Sequence, residues 1–218
     1  MDNLLQDLRY ALRALARSPG FALVAVLTLG LGIGANSAIF SVVNAVLLRP
    51  LPYDQPERLV GVYAVTNGER GVNSPRTYLD VKEQVRTLEA VAAYRARGLT
   101  LTGRGDPVRL DGVAVGADLF RVLHARPLLG RTFRPDENEP GKDRVAVLGY
   151  ALWQERFGGD PAVVGRSVTL DGAPYTVVGV MPEGFAFPNR RELWVPMTHD
   201  EGFVSGSSRC SYYLAVVA

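Results

Sequence analysis

FALVAVLTLGLGIGANSAIFSVVNAVLL, residues 21–48, contains no charged side chain. As a helix these 28 residues would span roughly 42 Å, more than the about 30 Å of hydrocarbon in a bilayer. The buried helix of a soluble protein rarely runs so far without charge. A cleaved signal peptide is the rival, but its apolar core is normally only about 7–15 residues long. The run therefore reads as a retained transmembrane helix within residues 19–49. Ser18-Pro19 supplies an N-cap and a first-turn proline. Arg49-Pro50 ends it, because proline lacks the N–H and clashes with the preceding turn.

Working outward, the upstream flank sets the topology. Arg9, Arg13 and Arg17 precede the span, whereas only Arg49 and Arg58 follow it closely. The excess of positive charge on the cytoplasmic side places the N-terminus inside and everything after Pro50 outside. In LLQDLRYALRALAR the leucines at 4, 8, 12 and 15 fall at helical spacing, with the three arginines at every fourth position. Residues 1–18 thus read either as an amphipathic helix lying in the inner interface or as a basic cap that only sets topology.

Within the span, Gly30, Gly34, Ser37, Ser41 and Asn44 are spaced 4, 3, 4 and 3 apart and share one helix stripe. Small residues admit a second helix closely, and hydroxyl or amide groups bond across the contact. Glycine is frequent in membrane helices, so chance spacing competes with this reading. The coincidence of small and polar residues favours a packing seam. GLGIGAN in the same region is no phosphate loop. Such a loop ends in Gly-Lys-Ser/Thr, and the one Gly-Lys pair, Gly141-Lys142, is followed by Asp143.

Composition narrows the rest. The 218 residues carry 24 basic and 22 acidic side chains, and the excess lies in the first 49 positions. No basic run offers the stripe that nucleic-acid binding needs. The single Cys210 excludes an internal disulfide and any multi-cysteine zinc site. Two distant histidines, His124 and His199, make a poor metal centre.

The residues after Pro50 alternate strand and helix signals. Strands are expected at 59–65, 99–102, 108–115 and 145–148, with a hairpin over 168–181 turning at Asp171-Gly172. Ser74-Pro75 opens a helix whose apolar positions Tyr78, Val81, Val85, Leu88 and Ala92 keep helical spacing. Shorter helices are expected at 117–125 and 150–158. SYYLAVVA (211–218) reads as a final strand with nothing after it to pair with.

Five blocks carry a family resemblance: LLQDLRYALRALARSPGF (4–21), LLRPLPYDQPERLV (47–60), PLLGRTF (127–133), RVAVLGYALWQERFGGDPAVVGRSVTLDGAPYTVVGVMPEGFAFP (144–188) and ELWVP (192–196). In this order they resemble the MacB-like periplasmic core domain of FtsX-like ABC transporter permeases, and most closely the duplicated orphan permeases of that class. The resemblance implies an α+β extracytoplasmic domain at residues 50–218. A porter-like lobe from about 55–126 would be completed by strands after 211, with a strand-rich lobe inserted between. It also implies that the chain is an N-terminal piece, truncated at the C-terminus, because members return to the membrane for further helices. Its expected setting is the bacterial inner membrane. Its expected partners are membrane lipid, a separate cytoplasmic ABC ATPase, and either a second copy or other permease spans. ATP hydrolysis would then move the outer domain mechanically. The competing reading is a signal-anchored periplasmic binding or adaptor protein that works without an ATPase. An anchored enzyme ranks third.

No catalytic, cofactor or metal constellation stands out. Arg104-Gly105-Asp106 spells an adhesion tripeptide but sits in turn chemistry, GRGDP. Asp136, Glu137 and Glu139 lack the alternating ligands and central glycine of a calcium loop. His124 has neither a nucleophile nor an orienting acid placed by a motif. Ser205–Ser208 is no nucleophile elbow. Trp153, Phe157, Phe185, Phe187 and Trp194 read as core, and Cys210 as a packed or idle thiol.

Overall fold

In a computed structural model, which describes residue 13 and residues 17–44, 55–103, 105–189, 191–205 and 212–218, the uncharged run forms helix α1 (Pro19–Val43). The chain divides into two units between Leu51 and Pro52. Pro19 occupies the first helical turn as expected, but the Ser18 side chain makes no capping bond; its carbonyl accepts from Ala22 N–H at 3.0 Å. No residue of α1 is buried, and large apolar side chains such as Phe21, Val24, Leu31, Ile33 and Phe40 project all around it. A helix with exposed apolar side chains over most of its circumference suits hydrocarbon. At 25 residues it measures about 37 Å, enough to cross. Asn44 closes it, its N–H shared between the carbonyls of Phe40 and Ser41. The expected stop at Arg49-Pro50 lies outside the described residues.

The second unit is built on one mixed sheet. After β1 (Gly61–Val62), a separate hairpin pairs β2 (Ala64–Thr66) with β3 (Glu69–Gly71) through Asn67-Gly68, both in the left-handed region. Helix α2 (Pro75–Gln84) starts where Ser74-Pro75 directs, Ser74 Oγ accepting the Thr77 N–H at 3.2 Å. It stops short of expectation: Val85 is already extended, Leu88 lies in a loop, and Ala92 begins β4 (Ala92–Ala96). Val85 and Thr87 are β-branched and hold a helix weakly. The alanines that follow are claimed by strand pairing on both sides.

The expected strand at 108–115 is broken at Asp111. β5 (Leu99–Thr102) and β6 (Val108–Leu110) form a hairpin, while β7 (Gly112–Val115) crosses to pair with β4. Gly112 permits the crossing, since a Cβ there would lie 2.6 Å from the Arg97 carbonyl. Helix α3 (Leu119–Val122), β8 (Leu129–Gly130), β9 (Val145–Leu148) and helix α4 (Tyr150–Phe157) follow. β10 (Ser167–Leu170) and β11 (Ala173–Val180) form the expected hairpin, with Asp171 and Gly172 both left-handed, as a two-residue turn of this hand requires. β12 (Leu193–Pro196), helix α5 (Glu201–Val204) and β13 (Ala215–Val217) complete the unit.

The strands run β1-β13-β4-β7-β12-β9-β11-β10-β5-β6, with β8 beside β11. The pairs β7–β12 and β9–β11 are parallel and the rest antiparallel. The α+β class is as expected, and the two segments expected to form lobes are stitched into this one sheet. Strands of the first segment and β13 make one end, those of the inserted segment the middle, and the β5–β6 hairpin joins beyond them. β13 is not left without partners. It lies between β1 and β4, and Val60 and Ala218 exchange both backbone hydrogen bonds, at 2.8 and 3.0 Å.

Period-two alternation buries both faces. Ala93, Ala114, Leu148, Val177, Val195 and Val216 pack on one side with Tyr78 of α2, Trp153 and Phe157 of α4, and Phe203 of α5. Ala92, Val113, Val147, Trp194 and Val217 pack on the other with Leu119 and Phe120 of α3. Strands covered on both faces read as continuous apolar runs, which is why GVAV and LWVP are fully buried.

Candidate functional site

The five residues of the small and polar stripe share one face, as their spacing predicts. Gly30, Gly34, Ser37 and Ser41 lie on α1, and Asn44 caps it. At about 3.6 residues per turn all five fall within about 80° of arc. They are exposed, and a Cβ built at Gly30 or Gly34 would meet nothing within 4 Å. The stripe is therefore an open, shallow strip on an otherwise bulky helix. Thr28 Oγ1 donates to the Val24 carbonyl at 2.8 Å, which satisfies the hydroxyl within its own helix. Of the basic flank, Arg13 and Arg17 are helical and exposed, and Arg9 lies outside the described residues.

In the sheet unit the candidate chemistry resolves into structure. The acidic trio is divided among cations. Glu137 is buried, its two oxygens meeting Arg131 at 2.6 and 2.9 Å, and it also accepts the Arg134 N–H at 2.7 Å. That pairing raises the Arg131 pKa, with the Glu137 hydrogen bond as the leading cause. Asp136 and Glu139 face Lys142 at 3.6 and 2.9 Å. Among the described residues no cluster is suited to a metal ion. Asp106 is exposed in its turn, whereas Arg104, Cys210 and residues 206–208 lie outside the described residues. Trp153, Phe157 and Trp194 are core, as expected. Phe185 tilts against Trp194 at 5.2 Å, and Trp194 Nε1 donates to the Phe187 carbonyl at 2.9 Å. His124 is exposed on a cleft rim with a left-handed φ of 47°.

Two polar features have no counterpart in the sequence reading. Asn138 is buried and ties its own loop to the stretches that follow β7 and β12. Its Nδ2 donates to Met197 O at 2.7 Å and Val115 O at 3.3 Å, while Oδ1 accepts from Ala117 N–H at 2.7 Å. Its own carbonyl accepts from His199 N–H at 2.8 Å. An asparagine inside DENEP reads as a solvated loop, so no local signal marks it.

The second feature joins α2 and α5. His199 and Phe203 pack against Tyr78, whose hydroxyl is buried beside Gly116. Lys82 Nζ bonds Asp118 at 2.8 Å and lies 6.0 Å from the Tyr78 ring. Burial raises the Tyr78 pKa. Burial also acts to lower that of Lys82, but Tyr78 and Asp118 outweigh it and the net direction is up. His199 Nε2 is buried with no hydrogen-bond partner among the described residues. Burial, helped by the Lys82 charge, lowers the His199 pKa to about 4.

A helix long and apolar enough to cross a membrane, followed by an α+β domain whose sheet is covered on both faces, is the class of chain that the fold defines. Residues 22–216 match the MacB-like periplasmic core domain family, and the chain belongs to that family. The macrolide export ATP-binding/permease protein MacB of Burkholderia thailandensis is 27% identical over 122 residues, which are 55% of this chain and 18% of that protein. The extracellular domain of the noncanonic ABC-type transporter YknZ from Gram-positive bacteria superposes with a TM-score of 0.53 at 17% identity, covering 73% of this chain and 82% of that one. The periplasmic region of MacB from Actinobacillus actinomycetemcomitans gives 0.54 at 15% identity, covering 73% and 72%. The two likenesses establish the fold.

Proposed function

We propose that the chain is a component of an ABC-type permease that couples ATP hydrolysis by a separate cytoplasmic subunit to movement of its extracytoplasmic domain, with no bond chemistry of its own. The observation that supports this most is the extent of the family match. It begins within the apolar helix and runs to β13, so helix and sheet domain recur together as a unit. In this reading Arg9, Arg13 and Arg17 hold the N-terminus in the cytoplasm, and residues 1–18 lie along the inner interface. α1 is then the covalent link between the driven membrane helices and the sheet.

The stripe Gly30, Gly34, Ser37, Ser41 and Asn44 is the face on which α1 packs, against other permease spans or a second copy. In lipid no hydrophobic force drives helices together, so close backbone approach and interhelical hydrogen bonds have to supply the contact. The outer unit suits a mechanical role. Its sheet runs unbroken from β1 to β6, and Asn138 fixes the segments on its flank, so a push at one end is transmitted rather than absorbed.

The test is affinity isolation of the full chain from native membranes after mild cross-linking, followed by assay of ATP hydrolysis. The expected result is a co-purifying, vanadate-sensitive ATPase, with no such activity in the chain alone. Quantitative recovery of the chain without any ATPase would support the anchored adaptor instead.

A further inference from the structure

We propose that a basic trough beside α3 is a phosphate-binding subsite, and that it takes the headgroup of an anionic phospholipid. Two clefts meet there. One, of about 230 Å³, is lined by Gln55, Arg58, Leu59, Arg121 and His124 among others, with Glu89 as its acidic side chain. The second, more open and about 560 Å³, shares Arg121 and His124 and adds Arg126 and Thr132. No acidic side chain lines the second cleft.

The positive charge there is only partly neutralised. In the first cleft Arg58 and Glu89 match one another at 3.3 Å. Asp118 is held by Lys82 at 2.8 Å and reaches Arg121 only at 3.3 Å, where the arginine side chain is 63% exposed. Arg126 and His124 have no acidic partner among the described residues. Nor are these side chains needed to cap α3. Leu119, Phe120 and Arg121 already give their carbonyls to the N–H groups of Leu123, Ala125 and His124.

Two guanidinium forks with the Thr132 hydroxyl suit a phosphate better than a monovalent point anion, because each fork presents paired N–H donors to two oxygens. The source follows from the anchor, and here the inference rests on the membrane reading above. Gln55 and Leu59 belong to the segment by which the chain enters the sheet unit from α1. Tethering to a bilayer holds lipid phosphates at high effective concentration, whereas free phosphate has to be bound from bulk solution.

The experiment uses the full chain in lipid nanodiscs and follows phenylglyoxal modification of single arginines by mass spectrometry. Exposed Arg156, on α4 against the opposite face of the sheet, is the internal reference. In discs containing phosphatidylglycerol, modification of Arg121 and Arg126 should slow at least about fivefold relative to phosphatidylcholine discs, with Arg156 unchanged. Arg126→Gln should release most of the protection at Arg121. Equal rates in both discs, or full protection of Arg121 in the variant, would overturn the site. Equal protection by inorganic phosphate in neutral discs would overturn the headgroup assignment. Both leaflets of a nanodisc carry the same lipid, so a wrong membrane orientation leaves these outcomes unchanged and is exposed only by topology labelling.

Discussion

His199 lies flat on Phe203, ring centroids 4.5 Å apart and planes 12° from parallel, with the Tyr78 ring edge-on to both. The stack holds α5 on α2 with a neutral imidazole. The His199 pKa falls from about 6.5 in the unfolded chain to about 4 in the fold, where burial disfavours the charged ring. Between these values the unfolded state binds more protons, so stability falls as pH falls through that window. Carboxylates titrate there as well. His199→Phe keeps the stack and removes the proton site. Thermal melts at pH 7 and near pH 4.5 should therefore differ by several degrees less in this variant than in the native chain. An identical pH dependence in the two proteins would show that His199 is not desolvated by its setting.

Asn138 should be intolerant of apolar replacement. Asn138→Leu leaves the Ala117 N–H and the Met197 carbonyl without their present partner. Each orphaned buried group costs about 1–3 kcal/mol, so a loss of about 2–6 kcal/mol is expected by denaturant titration. A loss below about 1 kcal/mol would mean that water satisfies these groups in the variant.

Glu137 is a structural anion and not a calcium ligand, because Arg131 and the Arg134 N–H engage both of its oxygens. Calcium or a chelator should leave the melting temperature unchanged. Glu137→Ala should destabilise the domain by about 1–2 kcal/mol, since it removes the acceptor of the Arg134 N–H and one partner of a half-exposed ion pair. Calorimetry with and without calcium checks both parts.

The sequence announced elements wherever a local device specifies them. Ser74-Pro75 starts α2, Gly158 with φ 62° closes α4, and Asp171-Gly172 turns the β10–β11 hairpin. It misled where pairing distant in sequence decides. The helical spacing through Leu88 and Ala92 was overridden by β13 and β7, and the strand at 108–115 was split because its halves have different neighbours. SYYLAVVA looked unpartnered because β1, its neighbour, lies some 150 residues earlier. That Gly30, Gly34, Ser37, Ser41 and Asn44 share one face of α1 was legible, since spacing along a helix fixes a face. The Asn138 hub and the Tyr78–His199 stack were not, because only the fold brings their parts together.

The seam makes a distinct prediction. Leucines at Gly30 and Gly34 should block close approach of a second helix without preventing insertion, because both side chains rise from the stripe. Leucines at Ala25 and Gly32, about 140–160° around the helix from Gly30, are the matched pair. Cross-linking in native membranes should fall several-fold for the first pair and little for the second. Equal yields would mean that the stripe is not a contact face.

In the proposed topology α1 crosses the membrane and the sheet domain lies outside the cytoplasm. Asn67, exposed at the tip of the β2–β3 hairpin with φ 54°, offers the most direct test. In a Cys210→Ala background, Asn67→Cys is treated in intact cells with a membrane-impermeant maleimide, with the outer membrane permeabilised where there is one. The account predicts labelling in intact cells equal to that after lysis. Protection in intact cells, with labelling only after lysis, would contradict it.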